Sequence, residues 1–354
     1  MKRSNMMKIM QYAMLAMLLL CLAILPSTAQ TTTNVSILDK TEDSITVVDK
    51  IGRTVTIDLP VKKIIATDYR QMDVLLALGA RDMIIGVDKT FHERMPYFGL
   101  SDAPEVSVHS QEVNYEYVLK LDPDLVIIPS SQGATADDIS SKLLGVPVLV
   151  LSLSEKQTIV PVTEMMGEIL GKEEEANKLI KWISKYDNIV ENRTKDLGPQ
   201  DIPTFFYGSI NGWGASKPNV ADGCGGINIA ADLPSGSDVS LEWILSKNPD
   251  YIFLDDMRSD ISGYGFAEED VKNSLDNITA EKGFSDLDAM KNNHVYLLHR
   301  DLISAPRWVA GHVCIAKWLH PDLFEDLSPE EIHKEYFKEF HGIEVDGTWA
   351  YPNP

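Results

Sequence analysis

The sequence predicts an α/β protein of two similar lobes, each with a mostly parallel sheet, linked by a single long helix. Three observations carry this. Short apolar runs alternate with helical periods along most of the 354 residues, the pattern of parallel strands covered on both faces. A helix-turn-strand unit occurs twice, as VNYEYVLKLDPDLVII at 113–128 and VSLEWILSKNPDYIFL at 239–254, 126 positions apart (239 − 113), with Val, Glu, Leu, Pro and Asp in register. Between the copies lies one helical period longer than either lobe needs.

In chain order, Lys2, Arg3 and Lys8 precede an apolar run from Ile9 to Leu25 and then Ser27-Thr28-Ala29, the pattern of a signal peptide over 1–29. A run of that length also suits an uncleaved anchor. Leu20 stands where a lipid anchor on Cys21 would want a small residue. Residues 30–43 read as a Thr-rich linker. The N-terminal lobe, 44–156, opens with SITVVDKIGRTVTI, alternating on both sides of Asp49 to Gly52 as a β-hairpin does. VKKIIAT is a strand, and DYRQMDVLLALGA a helix whose Met72, Leu75 and Leu76 keep the helical period up to Gly79. IIGVD, LVII and VPVLVL continue the strands. Residues 157–198 form the connecting segment, broken near Gly171. From Glu173 to Leu197 the apolar residues recur three and four apart, a rod of about 25 residues and roughly 37 Å. The C-terminal lobe, 199–354, repeats the style, with strands at 203–207, 251–254 and 294–298, a helix from Arg307 and a capping box at Ser328-Pro329-Glu330-Glu331.

Charge narrows the partners. The net charge is −21, and removing 1–29 takes away three cations and no anions, leaving −24. Such a field excludes nucleic acid and anionic lipid as partners and suits a soluble protein outside the cytoplasm, in the periplasm or on the outer cell surface. No second apolar run reaches membrane length. Of the three cysteines, Cys224 and Cys314 remain after processing, in a compartment where a disulfide can persist.

Within the repeated unit, Val, Leu, Pro and Asp belong to the fold: Pro-Asp turns the chain into a strand buried on both faces. Glu116 and Glu242 open their helices, where a carboxylate favours the dipole, and capping explains them as well as function does.

Taken in order, DKIGRTVTIDLPVKKIIAT, NYEYVLKLDPDLVII, CGGINIA, SLEWILSKNPDYIFL and SAPRWVAG resemble the periplasmic-binding-protein family that serves ABC importers of iron-siderophores, haem and cobalamin. The resemblance runs from about Ser44 to Gly342. It implies two α/β lobes joined by one long helix; a single connecting helix resists large hinge bending, so small lobe movements on binding are expected. It also implies that Glu116 and Glu242 meet arginines on the two halves of an ABC permease dimer, so that a pseudo-twofold protein docks on a twofold partner. Cys224 matches a cysteine that precedes Gly-Gly-x-Asn in cobalamin-binding members, and Cys314 lies close to its usual partner; the resemblance implies a disulfide between them.

Open α/β lobes bind at the carboxyl ends of their strands, and the resemblance puts the ligand between two such ends. The loops so placed carry Tyr69, Arg70, Tyr207, Trp213, Arg258, Arg307 and Trp308. The aromatics suit an extended organic chelate and the arginines an anionic one. Ferric siderophore is the expected cargo, with a corrinoid and then haem as alternatives. A bare metal site needs three or four converging ligands, and the eight histidines are scattered, with His92 and His109 the best placed. Gly223-Cys224-Gly225-Gly226 does not complete a dinucleotide fingerprint, because Asn228 stands at the final glycine, and no P-loop or Gly-x-Ser-x-Gly is present. The expectation is a binding protein with no catalytic residues, no cofactor and no resident metal. A surface interaction protein without cleft or permease is the other class.

Overall fold

The computed structural model describes residues 35–210, 214–215, 219–234, 236–256 and 258–354. The expected signal segment lies outside them. No helix of the described residues is long and apolar enough to cross a membrane.

An antiparallel sheet of β1 (Ser36–Lys40), β2 (Ser44–Val48) and β3 (Thr54–Asp58) leads the chain. The hairpin of β2 and β3 follows the alternation of its sequence. Strand β1 falls inside the stretch expected to be linker: SILDK is exposed at all five positions, so no buried face marks it. The first lobe is then an all-parallel sheet in the order β6-β5-β4-β7-β8, built from β4 (Ile64–Ala66), β5 (Ile84–Asp88), β6 (Glu105–Ser107), β7 (Leu125–Pro129) and β8 (Val148–Leu151). Every residue of β4, β7 and β8 is buried, as a sheet covered on both faces requires. Its crossovers are α1 (Tyr69–Ala77), α2 (Lys89–Arg94), α3 (Tyr115–Leu121) and α4 (Ala136–Lys142).

Two helices follow, α5 (Lys156–Leu170) and α6 (Glu173–Thr194), with Gly171 in the left-handed conformation between them. At 22 residues α6 is about 33 Å long. It turns Leu179, Ile183 and Val190 inward and packs on α5 and on α10 (Trp308–Leu319). Truncating Leu179, fully buried there, should cost 2–5 kcal/mol (about the usual range for such a cavity).

The second lobe has three parallel strands at its centre, β9 (Thr204–Ser209), β13 (Tyr251–Asp256) and β15 (Val295–His299), with β11 (Ile227–Asn228) also parallel to β9. Its edges are antiparallel: β10 (Gly214–Ala215) and β12 (Ser237–Asp238) on one side and β17 (Ala350–Tyr351) on the other. Helices α7 (Leu241–Lys247), α8 (Glu268–Thr279), α9 (Asp288–Lys291) and α11 (Pro329–Tyr336) complete it, and Ser328 caps α11 by accepting from the amide of Glu331. A two-stranded ribbon pairs β14 (Gly263–Tyr264) with β16 (Gly347–Thr348). One hydrophobic cluster runs through both lobes and the helices between them.

The twin units are alike in geometry. Asn114 caps α3 by accepting from Tyr117 N, and Ser240 caps α7 by accepting from Trp243 N. Both helices have seven residues and end on a left-handed residue, Asp122 and Asn248. The aspartate of each Pro-Asp turn then latches the start of a neighbouring strand: Asp124 Oδ2 accepts from the amides of Lys62 and Lys63, and Asp250 Oδ2 from the amide and hydroxyl of Thr204. The repeated Asp therefore sets strand register in both lobes.

Candidate functional site

The carboxyl ends of β4, β5, β13 and β15 face one cleft, as parallel strands dictate. Two buried aspartates shape its rims. Asp88, ending β5, accepts from Thr90 N (2.8 Å), Ser107 Oγ (2.6 Å) and Ser110 N (2.8 Å). Asp256, ending β13, accepts from the amides of Asp260, Ile261 and Ser262 and from the Ser262 hydroxyl, all within 3.1 Å. Asp88 thereby holds the loop that follows the neighbouring strand β6, and Asp256 the loop that follows its own strand, at the cleft. His109 (φ 49°) and Ser259 (φ 60°) sit on these loops in the left-handed region, which side chains reach at a cost that surrounding structure must offset. Between the loops lies a cavity of about 370 Å³, lined from the first lobe by Glu93, Arg94, Pro96 and His109 and from the second by Arg258, Ser259, Tyr264, His299 and Trp349, among others.

At its margin three guanidiniums surround one phenol. The charge centres of Arg70, Arg94 and Arg300 lie 5.1, 5.3 and 5.1 Å from the centre of the Tyr69 ring. Asp68 takes Arg70 in a bidentate pair, Nε to Oδ1 at 2.9 Å and Nη2 to Oδ2 at 2.7 Å. Among the described residues no carboxylate forms an ion pair with Arg94, and its Nη1, like the Tyr69 hydroxyl, is buried without a hydrogen-bond partner. Burial, and then the neighbouring charge of Arg300, push the pKa of Arg94 down. Burial also opposes charge on Arg70, but Tyr69 and Asp68 hold its pKa above the ordinary value. Arg94 Nη1 is thus a buried donor without an acceptor, which is costly until something supplies one. An anion would.

Comparison with known proteins agrees with this architecture. The sequence matches the periplasmic binding protein family over residues 64–302, two thirds of the chain. The chain belongs to that family. It is similar to the molybdate-binding protein MolA of Haemophilus influenzae, 21% identical over 338 residues that cover 83% of this chain and 90% of that protein. It is also similar to the petrobactin-binding protein YclQ of Bacillus subtilis, 24% identical over 299 residues that cover 81% and 90%. Among solved structures, a TroA-like periplasmic binding protein, FepB, from Veillonella parvula superposes with a TM-score of 0.74 at 23% identity, covering 86% of this chain and 98% of that one. This periplasmic binding protein is thus a solute-binding component of the ABC-transporter type, a class that carries rather than catalyses.

Of the seven residues that the sequence assigns to the ligand, Tyr69, Arg70 and Arg258 lie at the cleft or in its wall. Trp213 lies outside the described residues. The other three are buried in this binding protein. Tyr207, fully buried on β9, has its pKa raised by burial and by Asp255, the next strand's carboxylate. Trp308 packs against His312 with Lys156 Nζ 5.2 Å above its ring. Arg307, 1% exposed, donates from Nε to Asp73 at 2.9 Å and pairs with Asp301 at 3.3 Å. A guanidinium already held by two carboxylates has no charge to offer a ligand, which corrects the expectation for Arg307.

The expected disulfide is also corrected, because Cys224 and Cys314 are both free and buried. Cys224 Sγ lies 3.2 Å from His312 Nδ1 instead. Cys314 follows His312 by two residues on α10, about 200° round the helix, so it faces away from Cys224. Burial raises the pKa of both thiols, which keeps them protonated. His92 is satisfied by Glu105 and the carbonyl of Leu100, both at 2.9 Å. No group of three or more His, Cys, Asp or Glu among the described residues could hold a metal ion.

Sequence reasoning missed Arg94, Arg300, His299 and Trp349. Arg300 directly follows β15, so the strand-end rule would have reached it. Arg94 ends the short helix after β5, one turn beyond the loop considered. Nothing in the last residues of the chain marks Trp349. Glu116 and Glu242 are both exposed, each the second residue of its helix, and the amide of Glu242 with the Ser240 hydroxyl lowers that carboxylate's pKa.

Proposed function

We propose that this protein captures an anionic metal chelate of the ferric-siderophore kind outside the cytoplasm and delivers it to an ABC permease. The observation that carries the reading is the gathering of Arg70, Arg94 and Arg300 round Tyr69 beside an interlobe cavity, in a chain whose net charge is −21. An acidic protein repels anions everywhere except where such a cluster inverts the local field. Guanidiniums neutralise the chelate while the exposed Tyr264 offers aromatic surface and the buried Tyr69 ring holds the guanidiniums in place. The similarity to a petrobactin-binding protein supports it.

A compact oxyanion such as molybdate is the second reading. The cavity, about 370 Å³, lies at the low end for small-molecule pockets, and MolA is a relative. A corrinoid or haem would stand largely outside such a cavity. Titration calorimetry of the purified protein with a ferric tris-catecholate, sodium molybdate, cyanocobalamin and haemin separates these. Tightest binding to the ferric chelate supports the proposal; tightest binding to molybdate selects the second reading; binding of neither anion defeats both.

We read 44–156 and 199–354 as the two lobes, 157–198 as their joint and 1–29 as the export signal. Glu116 and Glu242 are the docking contacts in this reading. The caps and latches repeat so closely that the two carboxylates stand on equivalent exposed helix starts, suited to two equivalent arginine sites. Reversing both charges should abolish transport in cells while leaving ligand affinity in solution unchanged.

A further inference from the structure

The family match ends at residue 302, yet the last 26 residues touch both lobes and the cleft. Asp73, on α1 of the first lobe and fully buried, finds all its charge partners in the second. Arg307 Nε donates to it at 2.9 Å, the Tyr336 hydroxyl at 2.8 Å, and His341 Nε2 lies 3.4 Å away. Beside this pair Tyr97 of the first lobe meets Tyr264 at 5.1 Å, Phe337 at 5.5 Å and Trp349 at 6.1 Å between ring centres. Phe98 meets His341 at 4.7 Å. The chain then runs back through β16, which pairs with β14 on the cleft loop, and Trp349 O accepts from His299 N at 2.8 Å. That close approach demands glycine: at Gly347 a Cβ would fall onto the carbonyl of Gly263, and one on Gly263 would strike the His299 ring.

Trp349 sits at the centre of this strap. Its ring stands edge-on to His299 at 4.9 Å, with the Arg307 guanidinium 5.6 Å from its centre. It lines the cleft cavity on one side and on the other a smaller cavity of about 100 Å³, which Cys314 and His333 also line. We infer that the C-terminal strap is a second joint between the lobes, and that Trp349 within it sets the width and depth of the cleft and so the size of ligand admitted. The connecting helices α5 and α6 resist wide bending but leave the lobes small rocking movements. A buried, charge-balanced contact at a second place removes that freedom, because separating the lobes would leave Asp73 and Arg307 unpaired. The inference rests on the cleft being the ligand site.

The test of the joint needs no ligand, so its failure is distinct from failure of the proposed function. Nitroxide labels on Lys120→Cys and Lys247→Cys, exposed positions at the ends of the twin helices, report lobe separation by double electron–electron resonance in the full chain. Cys224 and Cys314 are buried and stay unlabelled, and Cys21 is replaced by serine. The unaltered strap should give one narrow distance. Trp349→Ala, and independently Asp73→Asn, should broaden it and move it longer, while Asp122→Asn at the exposed Lys63 pair leaves it unchanged. Lower melting temperatures with the distance unchanged in both variants would overturn the joint. Trp349→Ala should also shift the affinity ratio of a ferric tris-catecholate to molybdate toward the larger ion, and an unchanged ratio overturns the role in size selection.

Discussion

Two arginine centres, seven positions apart in sequence, show how differently one residue type is used. At Arg300 three guanidiniums crowd one tyrosine, Asp68 pairs with Arg70, and Arg94 Nη1 is buried without an acceptor. At Arg307 one guanidinium meets two aspartates and lies under Phe337 and Trp349. The first centre keeps a buried donor open and edges a cavity; the second is complete and closed. A donor left without an acceptor, more than position near the cleft, separates a group that waits for a ligand from one that holds the lobes together.

The sharpest way to break the contrast is to unbalance the closed centre. Asp73→Ala leaves Arg307 buried beside Asp301 alone, and loss of one partner of a buried pair costs about 3–5 kcal/mol. Denaturant unfolding should show that loss, whereas Arg94→Gln at the open centre should leave stability within about 0.5 kcal/mol of the parent or raise it. Equal losses in the two variants would erase the distinction.

Acid should act next, and mainly on the closed side. Burial lowers His299 and His312 to about 4 from 6.5, and His333 is lowered too. These rings are neutral when folded and take up protons on unfolding, so their contribution is full above pH 6.5 and lost as pH falls toward 4. For His312 the shift amounts to about 3 kcal/mol. Asp73, held at about 2 against an ordinary 3.8, adds a loss only below pH 4. Unfolding free energies measured from pH 7 to 4 should decline steadily, and a flat profile would mean that these histidines are solvated.

At the open centre the effect moves from stability to affinity. Removing one charge-assisted donor costs about 1.5–3 kcal/mol, so Arg94→Gln and Arg300→Gln should each weaken binding of the anionic ligand by roughly ten- to a hundredfold. Arg307→Gln should lower the melting temperature more than it lowers affinity. The reverse order would exchange the two roles.

Why the sequence separates strands and caps well but not these centres follows from range. Asn114, Ser240, Ser328 and Gly171 act on residues within one turn, and the apolar runs of β4 and β7 declare burial on both faces by themselves. The role of Arg307 depends on Asp73, 234 positions earlier, and on where Tyr336 and Trp349 return. Arg300 and Arg94 become one site with Arg70 only when both sheets are in place. Cys224 and Cys314 err the same way: their spacing is visible in sequence, but the helical phase that turns one from the other is not.

The smallest effect would sharpen the open centre most. Asp255, the penultimate residue of β13, is almost fully buried, its Oδ1 without a hydrogen-bond partner, and burial raises its pKa to about 7, with Arg300 pulling it down and Asp256 pushing it up. Below pH 7 the group is neutral and takes up none of the charge of Arg300. As pH rises through 7 the new carboxylate competes for that charge, so anion affinity should fall, at most about tenfold per pH unit for one linked proton. Calorimetry in two buffers of different ionisation heat should show proton uptake on binding near neutrality. Asp255→Asn should remove both the uptake and the slope without changing affinity at pH 6. If the slope survives in that variant, the proton belongs to the ligand, and the open centre holds a fixed charge that pH does not tune.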